Sequence, residues 1–95
     1  MAKETPALDT ELEELPPELR WREWMGRIEA VIFASASPVP RADLARVVGL
    51  GASLDLLIDD IQAELAGRPY ELIVVADGWL MRTRVRYAGA IQTAA

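Results

Sequence analysis

About two-thirds of the way along this 95-residue chain, the apolar pattern changes from a helical period to an alternating one. This change constrains the fold more than any other feature. Up to Leu65 the apolar residues recur every three or four positions, which is typical of amphipathic helices. From Tyr70 they alternate on both sides of Asp77-Gly78, a dipeptide typical of tight hairpin turns. The sequence therefore predicts helices followed by a β-hairpin.

Three helices are predicted before the hairpin. The first runs from Pro17 to about Ala34, and proline suits the first turn of a helix. The second covers Arg41 to Val48, with Gly49 as a left-handed cap. The third begins after Ser53, a good N-cap residue, and ends at Gly67. The first helix carries one apolar stripe, formed by Trp21, Trp24, Met25, Ile28, Val31 and Ile32. Phe33 lies off this stripe, so we expect a strand or a partner to cover it.

The hairpin is predicted from two alternating segments, 70–76 and 79–83, joined by a two-residue turn at Asp77-Gly78. This turn pairs Ala76 with Trp79 and places two sets of side chains on opposite faces. The face expected to pack on the helices comprises Tyr70, Leu72, Val74, Trp79 and Met81. Three helices followed by a hairpin predict an α+β fold of the winged helix-turn-helix class.

Charge divides the chain into segments. The net charge is −5, and residues 1–18 carry one base against six acids, which is also −5. We expect residues 1–16 to be a flexible acidic tail, because they lack a sustained apolar stripe. Residues 17–87 are predicted to form the winged-helix domain, and residues 88–95 to start a truncated C-terminal helix or linker.

Composition excludes most catalytic chemistry. The chain has no cysteine and no histidine, so thiolate, imidazole and zinc-finger chemistry are absent. Asp59 and Asp60 point about 100° apart on a helix, and Asp60 with Glu64 is an ordinary i, i+4 pair. We therefore expect no catalytic residue, no metal site, no cofactor and no enzymatic activity. The absence of a long apolar run predicts no membrane contact and a cytoplasmic protein.

DNA binding is the first non-enzymatic possibility, because helix-turn-helix domains often read the major groove. The third helix, however, carries four acids and no Lys or Arg, and acids repel phosphates. The bases lie instead at Arg82, Arg84 and Arg86, which alternation places on one side of a continued strand. They form either a weak phosphate contact or a solvated edge paired with acids.

A protein-interaction surface is the second possibility. The outer face of the hairpin holds Ile73, Val75 and Leu80, and Leu56 lies off the stripe of the third helix. Contiguous exposed apolar groups usually mark a partner site, although the first helix or the C-terminal segment could cover them within the monomer. The small size of the domain favours a partner. A domain of fewer than about 80 residues has a single core that gives only marginal stability. We therefore predict a homodimer.

Several segments also match a known family. They are Arg27 to Ser35 followed by Pro38-Val39, then Asp43-Leu44-Ala45, then Glu71-Leu72 through Gly78-Trp79 to Arg82-Thr83-Arg84, and Tyr87. Over about residues 21–87 the chain resembles the N-terminal winged-helix domain of segregation and condensation protein B (ScpB). In that family a second winged helix follows, and this chain ends where it would begin.

The resemblance implies a non-enzymatic accessory subunit of a bacterial SMC–kleisin (condensin-like) complex, associated with the nucleoid. Such a subunit acts in chromosome condensation and segregation by self-association and by binding a ScpA-like kleisin, and through it SMC. The expected kleisin groove lies between Leu56 and the wing residues Ile73 and Leu80. The alternative is a small winged-helix DNA-binding transcription regulator, whereas the acidic third helix favours weak or no direct DNA binding.

Overall fold

The computed structural model describes residues 7–95 and contains helices together with a three-stranded antiparallel sheet. The elements are α1 (Pro17–Ala34), β1 (Val39–Pro40), α2 (Arg41–Ala45), α3 (Leu54–Glu64), β2 (Tyr70–Val75), β3 (Gly78–Thr83), a 3-10 turn (Val85–Tyr87) and α4 (Ala88–Ala94). The predicted α+β class is confirmed, and the arrangement is consistent with a winged-helix-like fold.

Helix α1 begins and ends where the apolar period predicts. Pro17 occupies its first turn, and four stripe residues are buried: Trp24, Met25, Ile28 and Ile32. Trp21 and Val31 are partly buried at the edges of the stripe. Phe33 is 77% exposed, so no strand within residues 7–95 covers it, and the alternative that a partner covers it stays a prediction.

Helices α2 and α3 follow the prediction in position and differ in how they end. Helix α2 stops at Ala45, one turn earlier than expected. Gly49 does not adopt a positive φ, so it is not a left-handed cap. It is buried instead, and a Cβ on it would lie 2.7 Å from Cζ2 of Trp24. Ser53 caps α3 as predicted, with its side chain accepting a hydrogen bond from the N–H of Leu56.

The sheet has the strand order β1-β3-β2, and its hairpin register differs from the prediction. Val75 pairs with Gly78, so the two-residue loop is Ala76-Asp77 and not Asp77-Gly78. Ala76 takes the left-handed conformation with φ of 51°. Gly78 is instead the first residue of β3, where β1 pairs with it at close range. A Cβ on Gly78 would lie 2.7 Å from the carbonyl oxygen of Val39. Glycine is common where two backbones approach in this way.

The two faces of the hairpin keep their predicted members, because the register moved by an even number of residues. Leu72 and Trp79 are buried against the helices. Val74, on the same face, is 67% exposed, which corrects the prediction that it packs on the helices. The reason is its position on the edge strand β2, whereas its partner Trp79 lies on the central strand, flanked by Val39 of β1.

The core joins α1, α2, α3 and the sheet. The five side chains with almost no exposed surface all come from the helices: Ile28, Ile32, Leu44, Leu57 and Ile61. The C-terminal α4 contributes no buried residue. Within residues 7–95, no helix is both long enough and apolar enough to cross a membrane.

The N-terminal segment before α1 is packed more closely than the sequence suggests. Leu12 joins the hydrophobic core, and the indole N–H of Trp24 donates to the carbonyl of Thr10 over 2.8 Å. The second half of the expected tail therefore buries one leucine beside α1, which the lack of a sustained apolar stripe did not predict. The first six residues of the expected tail lie outside the described residues, and the division at residues 16 and 87 stays a prediction.

Candidate protein-interaction surface

The outer face of the hairpin carries an apolar patch, which we call the wing patch: Ile73, Val75 and Leu80. Ile73 and Leu80 are directly opposite each other across the strands, and Val75 lies opposite Gly78. All three side chains are partly buried, so the face is neither fully covered nor fully in water. The structure therefore brings these three predicted residues together, as strand alternation requires.

Leu56 lies apart from the wing patch. It is 57% exposed on α3 and borders a crevice of about 500 Å³. The other lining residues are Glu11, Glu13, Arg20, Trp21, Trp24, Gly51, Ala52 and Ser53. No wing residue lines this crevice. The groove between Leu56 and the wing patch stays a prediction.

Three of the four acids on α3 are bound to other helices. Asp55 pairs with Arg41 over 2.6 Å, and Glu64 pairs with Arg22. Asp60 accepts a hydrogen bond from the indole N–H of Trp21 over 2.7 Å. These partners lie 14, 42 and 39 residues away in the chain, so helical spacing alone could not reveal them. Ion pairs therefore neutralise two of the four acids on α3, Asp55 and Glu64.

The arginines that leave the wing make specific contacts within the chain. Arg82 and Arg84 both pair with Glu71, over 3.1 and 3.2 Å. Arg84 also donates to the carbonyls of Leu65 and Arg68, over 3.0 and 2.7 Å. Because β3 ends at Thr83, the alternation predicted to continue through residue 86 stops there. Arg84 therefore links the wing to the end of α3.

Arg86 differs from the other two arginines. Its guanidinium lies over the ring of Tyr87, 4.8 Å from the ring centroid, and it donates to the Tyr87 hydroxyl. Both contacts are with its neighbour in sequence, and the residue is exposed. Of the three predicted phosphate contacts, Arg86 is the one without an acidic partner among the described ion pairs.

A second, larger cavity of about 800 Å³ opens between α1 and α3. Leu19, Trp21 and Met25 form its apolar wall, and Glu18 and Asp60 lie at its edge. The continuous stripe of α1 gave no indication of this cavity. Leu19 precedes that stripe and is 56% exposed. Leu19, an apolar residue in the first turn of α1 and outside its stripe, was the feature of the sequence that could have indicated the cavity.

Metal chemistry finds no support in the described part of the chain. Residues 7–95 contain no cluster of three or more His, Cys, Asp or Glu side chains able to hold a metal ion. The arrangement as a whole offers apolar patches edged by charges, which suits contact with proteins.

Comparisons with known proteins agree with this architecture. The family model described as "Segregation and condensation complex subunit ScpB" matches residues 26–95. No curated protein matches the sequence. Among solved structures, the chain is similar to the crystal structure of a conserved hypothetical protein from Chlorobium tepidum, with a TM-score of 0.68 and 20% identity. The match covers 81% of this chain and 51% of that one, so the chain spans about half its length. At this identity the likeness shows the fold alone.

Proposed function

Because the chain belongs to the family of segregation and condensation complex subunit ScpB, we propose that it is a non-enzymatic accessory subunit of an SMC–kleisin complex. Membership of this family supports a role in chromosome segregation and condensation. The proposal adds self-association, binding of a ScpA-like kleisin and a cytoplasmic, nucleoid-associated location. The observation that carries it is the family match over residues 26–95, which includes the wing patch and Leu56.

The finer fold assignment belongs to the same proposal. We assign residues 17–87 to a winged-helix domain, in which α1, α2 and α3 precede the hairpin of β2 and β3. The two-residue strand β1 pairs with β3 and completes a three-stranded sheet, as a short additional strand. The likeness to the Chlorobium tepidum structure supports this assignment.

Self-association is proposed to use the wing patch. The wing patch is a partly buried apolar face of the hairpin. Covering it with a second copy removes its remaining contact with water, which is favourable. Glu71 and Arg82 pair with each other at the end of the same face, so the patch has a polar boundary. An apolar centre with a polar rim is the usual anatomy of an interface.

Replacing Val75 with glutamate is expected to shift the protein from dimer toward monomer, because an unpaired carboxylate in an apolar contact is costly. The control is Val74→Glu, which adds the same charge at the neighbouring residue, whose own side chain on the opposite face is 67% exposed. Sedimentation velocity at increasing concentration measures both variants. A stable monomer of the unmutated chain at high micromolar concentration, or equal weakening by both variants, would contradict this role of the wing patch.

Kleisin binding is proposed to involve Leu56 on α3 and Leu80 on β3. Leu56 borders a crevice that no wing residue lines, and an extended partner segment can contact residues on two elements. Asp59 and Asp60 of α3 form no ion pair among the described residues. Their charges favour a partner with Lys or Arg beside its apolar anchors.

The double variant Leu56→Ala with Leu80→Ala is expected to weaken capture of the cognate kleisin about tenfold or more, as loss of two anchor side chains does. The control is Leu50→Ala with Val85→Ala, two exposed residues outside the proposed surface. Isothermal titration calorimetry with the purified kleisin measures the affinities. Unchanged affinity would exclude this surface, and absence of binding by the unmutated chain would show that the described domain does not carry the interaction.

The alternative function, a DNA-binding transcription regulator, has less support. A recognition helix needs positive charge to approach phosphates, and α3 carries none. Glu71 pairs with two of the three wing arginines, Arg82 and Arg84, which lowers the charge available to a phosphate. These contacts favour weak or no direct DNA binding.

A further inference from the structure

The segment from Asp9 to Leu15, which we call the strap, lies against α1 and the link between α2 and α3. It precedes the region matched by the family model, which begins at residue 26. We infer that the strap is the resident occupant of a peptide-binding surface, and that this surface binds an extended acidic peptide with a leucine anchor when the strap is displaced. This inference goes beyond the proposed function and does not depend on it.

A single leucine anchors the strap. Leu12 is 9% exposed and belongs to the hydrophobic core. Its backbone has a φ of 51°, and its N–H donates to the carboxylate of Asp9 over 3.1 Å. The N–H of Leu15 then donates to the carbonyl of Leu12 over 3.0 Å. Residues 12–15 therefore form a turn at the end of the strap, and Leu12 is its one buried apolar side chain.

The surface of α1 holds the backbone of the strap through side-chain donors. Arg20 donates to the carbonyls of Leu12 and Leu15, over 3.1 and 3.0 Å. One turn further, Trp24 donates to the carbonyl of Thr10 over 2.8 Å. Arg27, another turn on, donates to the carbonyl of Asp9 over 2.8 Å. Residues at this spacing share one helix face, so α1 presents a row of donors matched to an extended chain.

The link before α3 completes the surface. The backbone N–H of Leu50 donates to the carboxylate of Glu11 over 3.0 Å. A Cβ on Gly49 would lie 2.7 Å from the ring of Trp24 and 3.1 Å from the carboxylate of Glu11. The glycine therefore leaves the space in which an acidic side chain and the indole meet. This contact selects an acid one position before the leucine anchor.

The strap is held less firmly than the core it covers. It buries Leu12 and packs Leu15 partly against the core, and its other contacts are hydrogen bonds to backbone carbonyls and to one N–H. Those contacts must offset the conformational entropy of seven ordered residues. Segments with few buried apolar side chains open locally at lower free energy than the core does. The strap can therefore leave its surface while α1, α3 and the sheet remain folded.

The chemistry of the surface specifies its ligand. Two arginines and one indole N–H read main-chain carbonyls, and a backbone N–H reads a carboxylate. Charge-assisted hydrogen bonds from arginine are among the stronger ones. The ligand is accordingly an extended peptide in which an acid precedes a leucine, as Glu11 precedes Leu12.

The test uses the full chain with Leu12→Asp, which releases the anchor, and Leu8→Asp as the matched control. Leu8 is exposed and lies just outside the strap. The Leu8→Asp change therefore adds the same charge without loss of packing. Fluorescence anisotropy follows a labelled peptide of residues 7–16. Saturable binding at least tenfold tighter to the Leu12→Asp chain than to the Leu8→Asp chain is expected. Adding Arg20→Gln to Leu12→Asp is expected to weaken that binding at least tenfold.

Equal affinity of a folded Leu12→Asp chain and the Leu8→Asp chain for the peptide would overturn the inference, with folding judged by far-ultraviolet circular dichroism. Hydrogen exchange of the unmutated chain gives a test that needs no variant. The amides of Leu12, Leu15 and Leu50 are expected to exchange together, and faster than that of Ile28. Exchange of all four at one common rate would mean that the strap opens only with global unfolding, which would also overturn the inference.

Discussion

Replacement of Ile28 by alanine is expected to lower the free energy of unfolding by about 2–5 kcal/mol. Ile28 has no exposed surface and lies in the middle of α1, in the cluster that joins this helix to α3 and the sheet. Removing its side chain loses the transfer free energy of three carbons and leaves a cavity that the rigid surroundings fill only in part. A chain of this size has little stability to spare.

The matched control for this substitution is Phe33→Ala on the same helix. Phe33 loses more atoms, but it is exposed, so its removal is expected to change the free energy of unfolding by less than about 0.5 kcal/mol. Urea unfolding followed by tryptophan fluorescence measures both variants. Equal destabilisation by the two substitutions would mean that Phe33 is covered in solution, for example by a second copy.

Replacement of Gly78 by alanine is expected to lower the free energy of unfolding by about 1–3 kcal/mol through overpacking. The added Cβ would lie 2.7 Å from the carbonyl oxygen and 2.9 Å from the carbonyl carbon of Val39. Both are backbone atoms, so relief requires β1 to move away from β3. The pairing of Val39 with Trp79 is then lost together with the contact at Gly78.

Gly26→Ala is the control for Gly78→Ala, with the opposite expected sign. A Cβ on Gly26 meets nothing within 4 Å, and the residue lies inside α1. Alanine there is expected to raise the free energy of unfolding by about 0.5–1 kcal/mol, because glycine loses more conformational freedom in a helix. Thermal unfolding by circular dichroism compares the two variants. A neutral Gly78→Ala chain would show that β1 does not approach the hairpin this closely in solution.

Strand and helix faces were predictable because they depend on local periodicity. The stripe of α1 lists the residues that the structure buries, and the cap at Ser53 needs only its neighbour Leu56. Alternation also separated the wing patch from Leu72 and Trp79 correctly, even though the register was wrong. Moving the register by an even number of residues leaves each side chain on its own face.

The register itself was decided by a contact that local pattern does not encode. Asp77-Gly78 is a strong turn signal, yet Gly78 serves the approach of β1, which lies almost 40 residues earlier in the chain. Gly49 gives a second case: its position suggested a cap, whereas its lack of a Cβ accommodates Trp24 and Glu11. In both, glycine is needed for space between distant segments and not for a local conformation.

The sequence by itself determined which side chains share a face of a helix or strand, because a period of 3.6 or 2 assigns faces from neighbours alone. Only the tertiary structure decided where charged groups and the N-terminal segment lie. Trp21 with Asp60, Arg84 with Leu65 and Arg20 with Leu12 are joined across elements that the chain brings together only on folding. Such pairs depend on the distances between elements. The apolar period of an element carries no information on these distances, so it cannot predict the pairs.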